Sequence, residues 1–281
     1  MRKIVTWNIQ SARSHDGGTD IEHAIATLAR FSDADILCLQ EVADGFPARD
    51  GSPGIDQFAA FATALPGYHA NTALALDVAG PDSTRRRLGC MTLSRYPVVQ
   101  ALRHSLPWAS DPAVPSMPRI ALELTLDTPS GLLRVVNAHL EYFSEIQRLA
   151  QAEQLRALQR EASLHARAPR AGLDKDGPFA AIPRALDAVL VGDFNMLPGS
   201  PTWHALQQSF DDAATEAWHD AWQLAHPAQA HAPTVGLRTT EPFTFDYAFV
   251  SAGLAPRVRG VHVDGTVTGS DHQPLLLELD A

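Results

Sequence analysis

Residues 3 to 9 alternate between two faces, with Val5, Trp7 and Ile9 on one and Ile4, Thr6 and Asn8 on the other. That period of two predicts a strand that delivers Asn8 near its end. Ile21, Ile25, Leu28 and Ala29 then recur at helical spacing behind Thr19 and Glu22, which read as a capping box, so 20 to 31 predicts an amphipathic helix packed on a sheet. The next run, "ADILCLQEV", is almost continuously apolar, as a strand covered on both faces must be, and it ends in Gln40 and Glu41. Phe58, Phe61, Ala62 and Leu65 mark a second helix that stops at "PGY".

Short strand-like runs follow at 68 to 76, 88 to 95 and 97 to 103. The segment "RIALELTLDTPSGLLRVVNAHLEY" reads as two strands about a turn at Pro129 to Gly131, with Leu133, Val135, Asn137 and His139 on one face. Ser144 with Gln147 opens the longest helix, predicted to reach about residue 163, and a loop rich in Pro, Gly and charge spans 167 to 184. In "VLVGDFNMLPGS", Asp193 and Asn195 share a face with Val189 and Val191 at the mouth of an oily strand. "FTFDYAFVS", "VRGVHVDG" and "SDHQPLLLELD" complete the pattern as short runs separated by Gly-bearing turns. The hairpin-like regions at 88 to 103 and 119 to 141 require antiparallel pairing, which favours an α/β protein with two packed sheets over one doubly wound sheet. With no repeat and no break in composition, one domain is expected over 1 to 281.

Composition narrows the functional classes. With 281 residues, 45% hydrophobic and 19% charged, the chain can bury a sizeable core. Its 22 Lys and Arg against 32 Asp and Glu give a net charge of -10, which disfavours nonspecific binding along DNA while leaving a local basic patch open. Cys38 and Cys90 lie in apolar stretches and are expected as buried free thiols, not as a disulfide or a thiolate metal site. A strand pattern begins almost at once, leaving no room for a signal peptide, and no apolar run reaches the roughly 18 residues of a membrane span. A cytoplasmic monomer is the expectation.

Chemistry-bearing residues recur at strand mouths or in adjoining loops: Asn8, Glu41, His139, Asp193 with Asn195, Asp246, and Asp271 with His272. If those ends lie at one edge, they form a convergent polar cleft. Taken alone, Asp193, Asn195, Pro198 and Gly199 read equally well as turn chemistry.

The strings "TWNI", "LQEV", "LSRYPV", "NAHL", "GDFN", "FDYAFVS" and "SDHQPL", in that order over nearly the whole chain, resemble the endonuclease/exonuclease/phosphatase superfamily of metal-dependent phosphohydrolases. The resemblance implies a four-layer α/β/β/α sandwich of two mixed, mainly antiparallel sheets, with the site at one edge. It implies Mg²⁺ or Mn²⁺, with Glu41 as the main metal ligand and Asn8 and Asp271 contributing. Asp193 resembles the residue that orients or deprotonates the attacking water, and Asn195 one that donates to a phosphoryl oxygen. His272 resembles the catalytic histidine, Asp246 its partner, and His139 a histidine that contacts phosphate and protonates the leaving group in some accounts; the division of labour between the imidazoles stays open.

Departures from the superfamily pattern bear on this reading. Gln10 stands where many relatives carry an acid, so one metal is expected instead of two, and Thr244 and Phe245 replace a flank that is often basic. Arg119 either reaches the cleft to meet a phosphate or is an exposed strand-start residue. "RRRLG" at 85 to 89 reads as a solvated loop in preference to a basic lip, and "LPWASDPAVPSMP" at 106 to 118 as a shaper of substrate entry or a surface crossing. The expected activity is Mg²⁺-dependent hydrolysis of a phosphodiester or phosphomonoester by direct in-line water attack, on a small or lipid-like phosphoester. A DNA or RNA nuclease and a catalytically silent phospholigand-binding protein or scaffold are the alternatives.

Overall fold

The computed structural model describes every residue except 14–17, 48–53, 170, 173–176, 213 and 281. Strands β1 (Arg2–Asn8), β2 (Ile36–Asp44), β3 (His69–Ala79) and β4 (Arg85–Ser94) join the late strands β11 (Val258–Val263) and β12 (Leu275–Leu279) in a six-stranded sheet of order β11-β12-β1-β2-β4-β3. A second six-stranded sheet has the order β5-β6-β7-β8-β10-β9, built from β5 (Val98–Ser105), β6 (Ile120–Thr128), β7 (Gly131–His139), β8 (Ala188–Asp193), β9 (Trp218–Asp220) and β10 (Asp246–Ser251). Among the described residues, only β1 with β2 and β7 with β8 run parallel. Their connections contain the longer helices α1 (Ile21–Ala29) and α3 (Glu145–Arg167), as a parallel crossover demands.

Alternation along each strand sorts the layers. Ile4, Ile36 and Cys38 meet Leu122, Leu124, Val135, Val189 and Val191 between the sheets. Val5, Trp7, Leu37 and Leu39 face outward against Ala24 and Leu28 of α1 and Phe61 of α2 (Gln57–Ala64). On the far side Val136, Ala138 and Leu190 pack against Ala152 and Leu155 of α3 and Trp203 and Leu206 of α4 (Pro201–Gln207). The result is the expected α/β/β/α sandwich. Cys38 and Cys90 are buried and free, and burial pushes both thiols up to about 12. Among the described residues no helix is long and apolar enough to cross a membrane.

Several local expectations shift. The α1 cap is Asp20, whose carboxylate accepts the His23 N–H at 2.8 Å; Thr19 instead bridges Arg13. Ser144 does cap α3, but that helix continues to Arg167, with His165 and Arg167 in its last turn, where they complement the helix dipole. The "RRRLG" segment is not a loop: it starts β4, and two of its three arginines pair across strands, Arg85 with Asp77 at 2.7 Å and Arg87 with Asp44 at 3.2 Å. Short elements α4, β9 and α5 (Ala221–Ala225) fill a stretch for which no element was expected. Ser200 followed by Pro201 is a legible start for α4, whereas β9 and α5 are too short to display a period.

Candidate functional site

Strand direction explains why distant residues meet. The parallel pairs bring the ends of β1, β2, β7 and β8 to one edge, carrying Asn8, Glu41, His139 and Asp193. Strand β10 runs antiparallel to β8, so its first residue, Asp246, lies opposite Asp193, the last residue of β8. Strand β12 runs antiparallel to β1, so Asp271 and His272, just before it, reach the same edge. All the residues singled out above are thereby gathered around one cleft.

Glu41 reaches the cleft through a backbone irregularity. Strict alternation would send it toward the helices and Val42 between the sheets. Val42 instead packs with Leu39 on the helix-covered face, and the β2–β4 register shifts between Leu39 and Val42. Glu41 sits at this bulge in the left-handed region, φ +54°, a conformation tolerated where a bulge re-aims a side chain. Its neighbour Gln40 turns between the sheets and donates to Asn137 Oδ1 at 2.7 Å and Thr6 Oγ1 at 3.0 Å. Gly192 precedes Asp193 with φ +145°, and a Cβ there would lie 1.8 Å from the Ala138 carbonyl oxygen. Only glycine lets β7 and β8 approach so closely.

The hydrogen bonds knit these groups together. Asn8 Nδ2 donates to Asp193 Oδ2 at 2.9 Å and to Glu41 Oε1 at 3.1 Å, while Asn8 Oδ1 accepts the Gln10 N–H at 2.9 Å. Gln10 Nε2 donates to Asp271 Oδ2 at 2.8 Å. His272 Nδ1 lies 2.8 Å from Asp246 Oδ2 and its Nε2 3.7 Å from Asp193 Oδ2. His139 Nε2 faces Asp193 Oδ2 at 3.4 Å and receives Arg119 Nη1 at 2.9 Å and Asn195 Nδ2 at 3.2 Å. The Asn195 backbone N–H donates to Asp193 Oδ1 at 2.9 Å. Asn8 and Asp246 are buried behind the wall; the others line a cavity of about 530 Å³.

Electrostatics separates the two imidazoles. Burial, Arg119 and His272 hold His139 well below 6.5, so at neutral pH it is uncharged and its Nε2 accepts. Burial also opposes charge on His272, but Asp246 and Asp193 overrule it and push the ring up to about 10, an imidazolium at neutral pH. Burial and the Asp246 carboxylate, against His272 and Asn8, push Asp193 up to about 7. Ligand atoms of Asp193, Asp246 and His272 all lie within 4.8 Å of one another, and buried Asp246 Oδ1 has no partner among the described residues.

Arg119 is no exposed strand-start residue: it is 7% exposed, lines the cavity, and pairs with buried Glu141 at 3.2 Å. Glu141 was missed in the sequence, although its position two residues after His139 is a period-two signal. An aromatic wall was missed too. Phe243 and Phe245 have ring centroids 4.5 Å apart, Phe245 meets Tyr142 at 6.0 Å, and Tyr142 meets Phe143 at 4.7 Å. Pro115, Ser116 and Met117 of the Pro-rich segment line the same cavity.

The model of the Endonuclease/Exonuclease/phosphatase family matches residues 5–272. Among solved structures, an endonuclease/exonuclease/phosphatase from Beutenbergia cavernae DSM 12333 is 24% identical with a TM-score of 0.66, covering 100% of this chain and 72% of that one. A mannosyl-6-phosphatase of Bacteroides thetaiotaomicron VPI-5482 is 16% identical with a TM-score of 0.64 and 100% coverage of both chains. Truncated Caenorhabditis elegans TDP2 is 18% identical with a TM-score of 0.63, covering 100% of this chain and 97% of that one. At these identities the likenesses establish the fold alone. A search of curated proteins gave no significant match.

Proposed function

This chain belongs to the endonuclease/exonuclease/phosphatase family, and from that premise we propose that it hydrolyses a small phosphoester by direct in-line attack of water, assisted by Mg²⁺ or Mn²⁺. The observation that carries the proposal is the meeting of Asp193 with the His272–Asp246 pair on one side and, through Asn8, with Glu41 on the other.

The donor set fits a hard divalent ion. Glu41 and Asp271 bring carboxylates to the cavity, and their side-chain partners are the amides of Asn8 and Gln10, not cations. These two would hold the metal. Asn8 turns its nitrogen to the carboxylates and has its oxygen engaged by Gln10, so it steadies Glu41 and Asp193; ligation would need that oxygen released. The Asp193–Asp246–His272 group suits proton handling better, because a charged imidazole with Nδ1 held by Asp246 offers no lone pair. Bound at the oxygen rim, the cation would offset charge on the phosphoryl oxygens.

The remaining steps use the chain's own groups. Asp193 Oδ2, held by Asn8, orients the water and takes its proton, with an affinity near neutral pH that suits a general base. The Asn195 amide, anchored by one N–H on the Leu140 carbonyl at 3.0 Å, turns its other N–H from His139 Nε2 to a phosphoryl oxygen, and the His272 cation meets the negative charge that grows in the transition state. Neutral His139 presents an acceptor at Nε2, which orients Arg119 and Asn195 and leaves no proton there for a leaving group. Tyr142, Phe143, Phe243 and Phe245 supply apolar surface for the organic part of the substrate.

Arg85 and Arg87 pair with Asp77 and Asp44, which offsets two of the three charges of "RRRLG" and so weakens its attraction for a long nucleic acid. Turnover on small phosphomonoesters and phosphodiesters, compared with duplex, abasic and single-stranded DNA under one salt and Mg²⁺ condition, tests this reading. A preference for DNA would make the chain a nuclease. Binding of phosphorylated ligands without turnover in saturating Mg²⁺ or Mn²⁺ would make it a silent binding protein.

A further inference from the structure

Two segments beside the cleft run in backbone that residues with a Cβ rarely adopt. Gln10, Ser11 and Ala12, just past β1, have φ +49°, +54° and +51°, and Glu41 at the β2 bulge has φ +54°. None is glycine, so each position is strained and persists only where its surroundings hold it. These segments carry the oxygen rim of the site. Glu41 belongs to it directly, and Gln10 reaches it through Nε2, which donates to Asp271 Oδ2 at 2.8 Å.

One side chain from outside the cleft joins the two segments. Strand β1 ceases to pair with β2 at Gln40, so groups of β2 beyond that point take side-chain partners instead. Gln57, the first residue of α2, is 3% exposed and does not line the cavity. Both halves of its amide are used: Nε2 donates to the Ser11 carbonyl at 2.6 Å, and Oε1 accepts the Ala43 N–H at 3.0 Å. Ser11 Oγ donates to the Glu41 carbonyl at 3.2 Å and closes the ring. An apolar side chain would fill the space but leave the Ser11 carbonyl and the Ala43 N–H without these bonds, and an unbonded buried amide is costly in itself. The helix that carries the clamp is fixed in turn, by Asp56, whose carboxylate accepts the Ala59 N–H at 3.0 Å, and by Phe61 in the core that also holds Ala12 and Val42.

We infer that Gln57 is a positioning residue for the cation: by tying the turn at Gln10–Ala12 to the bulge at Glu41, it keeps the Glu41 and Asp271 carboxylates at one rim. The inference rests on the assignment of those two carboxylates as the ligands and goes beyond it, to the part of the fold that sets their affinity. Without Gln57 the strained turn relaxes, Gln10 releases Asp271, and the Glu41 carbonyl loses Ser11. The ion is then held more weakly, while Asp193 and the His272–Asp246 pair, which handle protons, keep their own bonds.

The test uses the full chain with Mn²⁺ alone as the probe. Paramagnetic resonance of unbound Mn²⁺ gives dissociation constants for wild type, Glu41→Gln, Gln57→Met, Gln57→Glu and Leu158→Ala, with thermal melts alongside. Glu41→Gln marks the ion at this rim, and Leu158→Ala loosens the α3 layer as a control for lost stability. Gln57→Met removes both bonds with little change in volume. It should weaken Mn²⁺ binding at least about tenfold and raise the Mg²⁺ concentration for half-maximal activity by a like factor, while kcat at saturating Mg²⁺ changes less than about threefold. Gln57→Glu keeps the Ala43 bond and loses the one to Ser11, so a weakening of at least about threefold is expected, and it decides by the same constant if Gln57→Met does not fold. Leu158→Ala should melt lower with Mn²⁺ binding within about twofold of wild type, since the two sites share no partner. Unchanged Mn²⁺ affinity in Gln57→Met, or an equal weakening in Leu158→Ala, would overturn the inference, as would wild-type Mn²⁺ binding that is indifferent to Glu41→Gln. A wild type that binds Mn²⁺ through Glu41, loses affinity in Gln57→Met and yet hydrolyses no phosphoester would refute the hydrolase reading and leave the clamp standing.

Discussion

His272 holds its Nδ1 2.8 Å from Asp246 Oδ2 while its Nε2 stands 3.7 Å from Asp193, so one imidazole spans two buried carboxylates. Their charge outweighs the burial penalty on the ring and pushes it up to about 10. A raised value makes the charged ring a stabilising element below the ordinary 6.5, and that contribution is lost as pH climbs through about 10. Asp193, pushed up to about 7, must lose its proton to act as a base. The pH profile of kcat/KM is therefore expected to rise through about 7 and fall through about 10. Asp246→Asn should lower turnover at least about a hundredfold and draw the alkaline limb toward 6.5. An alkaline limb that stays put in Asp246→Asn would show that His272 does not carry it.

Glu41 is aimed by its bulge and held by an amide, so replacing its charge should leave the fold in place. Glu41→Gln is expected to raise the Mg²⁺ concentration for half-maximal activity by at least about tenfold, because one hard anionic ligand is removed. Metal titration of activity, with a thermal melt as the folding control, checks this. A titration curve matching wild type would exclude Glu41 as an important ligand.

How far such features can be read from the chain depends on their physical origin. Strand mouths are legible because alternation shows where an oily run ends, as in β1 with Asn8 and β8 with Asp193. Helix caps are legible to within a residue: Ser144 is the cap of α3, whereas Asp20 displaces Thr19 at α1 because either side chain can satisfy the first free N–H groups. Glu41 belongs to a different class. Its direction depends on a register shift against β4, a partner distant in sequence, and period two alone points it away from the cleft. The aromatic wall was hidden for a like reason, since Tyr142 and Phe245 lie far apart in the chain and meet only through the pairing of β7, β8 and β10. The Arg85 and Arg87 ion pairs likewise need the β3–β4 and β2–β4 ladders before their partners are known.

Gly192 ties stability to site geometry. A methyl group there would sit 1.8 Å from the Ala138 carbonyl oxygen, on a backbone with φ +145° that L side chains rarely adopt. Gly192→Ala must push β7 from β8 and displace the adjacent Asp193. We expect a loss of roughly 3 kcal/mol or more, read as an urea midpoint shift, together with reduced turnover in the remaining folded protein. Wild-type stability would mean that the strands can separate at little cost.

Glu123 provides a test remote from the cleft. It is 1% exposed, with Arg184 Nη2 at 2.6 Å, His104 Nε2 at 3.2 Å and Arg134 Nη1 at 3.6 Å. Burial alone would raise this carboxyl, but the His104 hydrogen bond and the charges of Arg134 and Arg184 overrule it and hold the group below its ordinary 4.5. A depressed value means the stabilisation is fully present above 4.5 and fades as pH falls through the folded-state value. Arg134 is itself 1% exposed, so Glu123→Gln leaves a buried guanidinium without its counter-charge, at a cost of roughly 3 to 5 kcal/mol. Urea unfolding at pH 7 should show that loss, and the gap between wild type and variant should narrow at acidic pH as the wild-type carboxylate is protonated. A gap that stays constant from pH 7 down to the acid transition would remove Glu123 as the source of acid sensitivity.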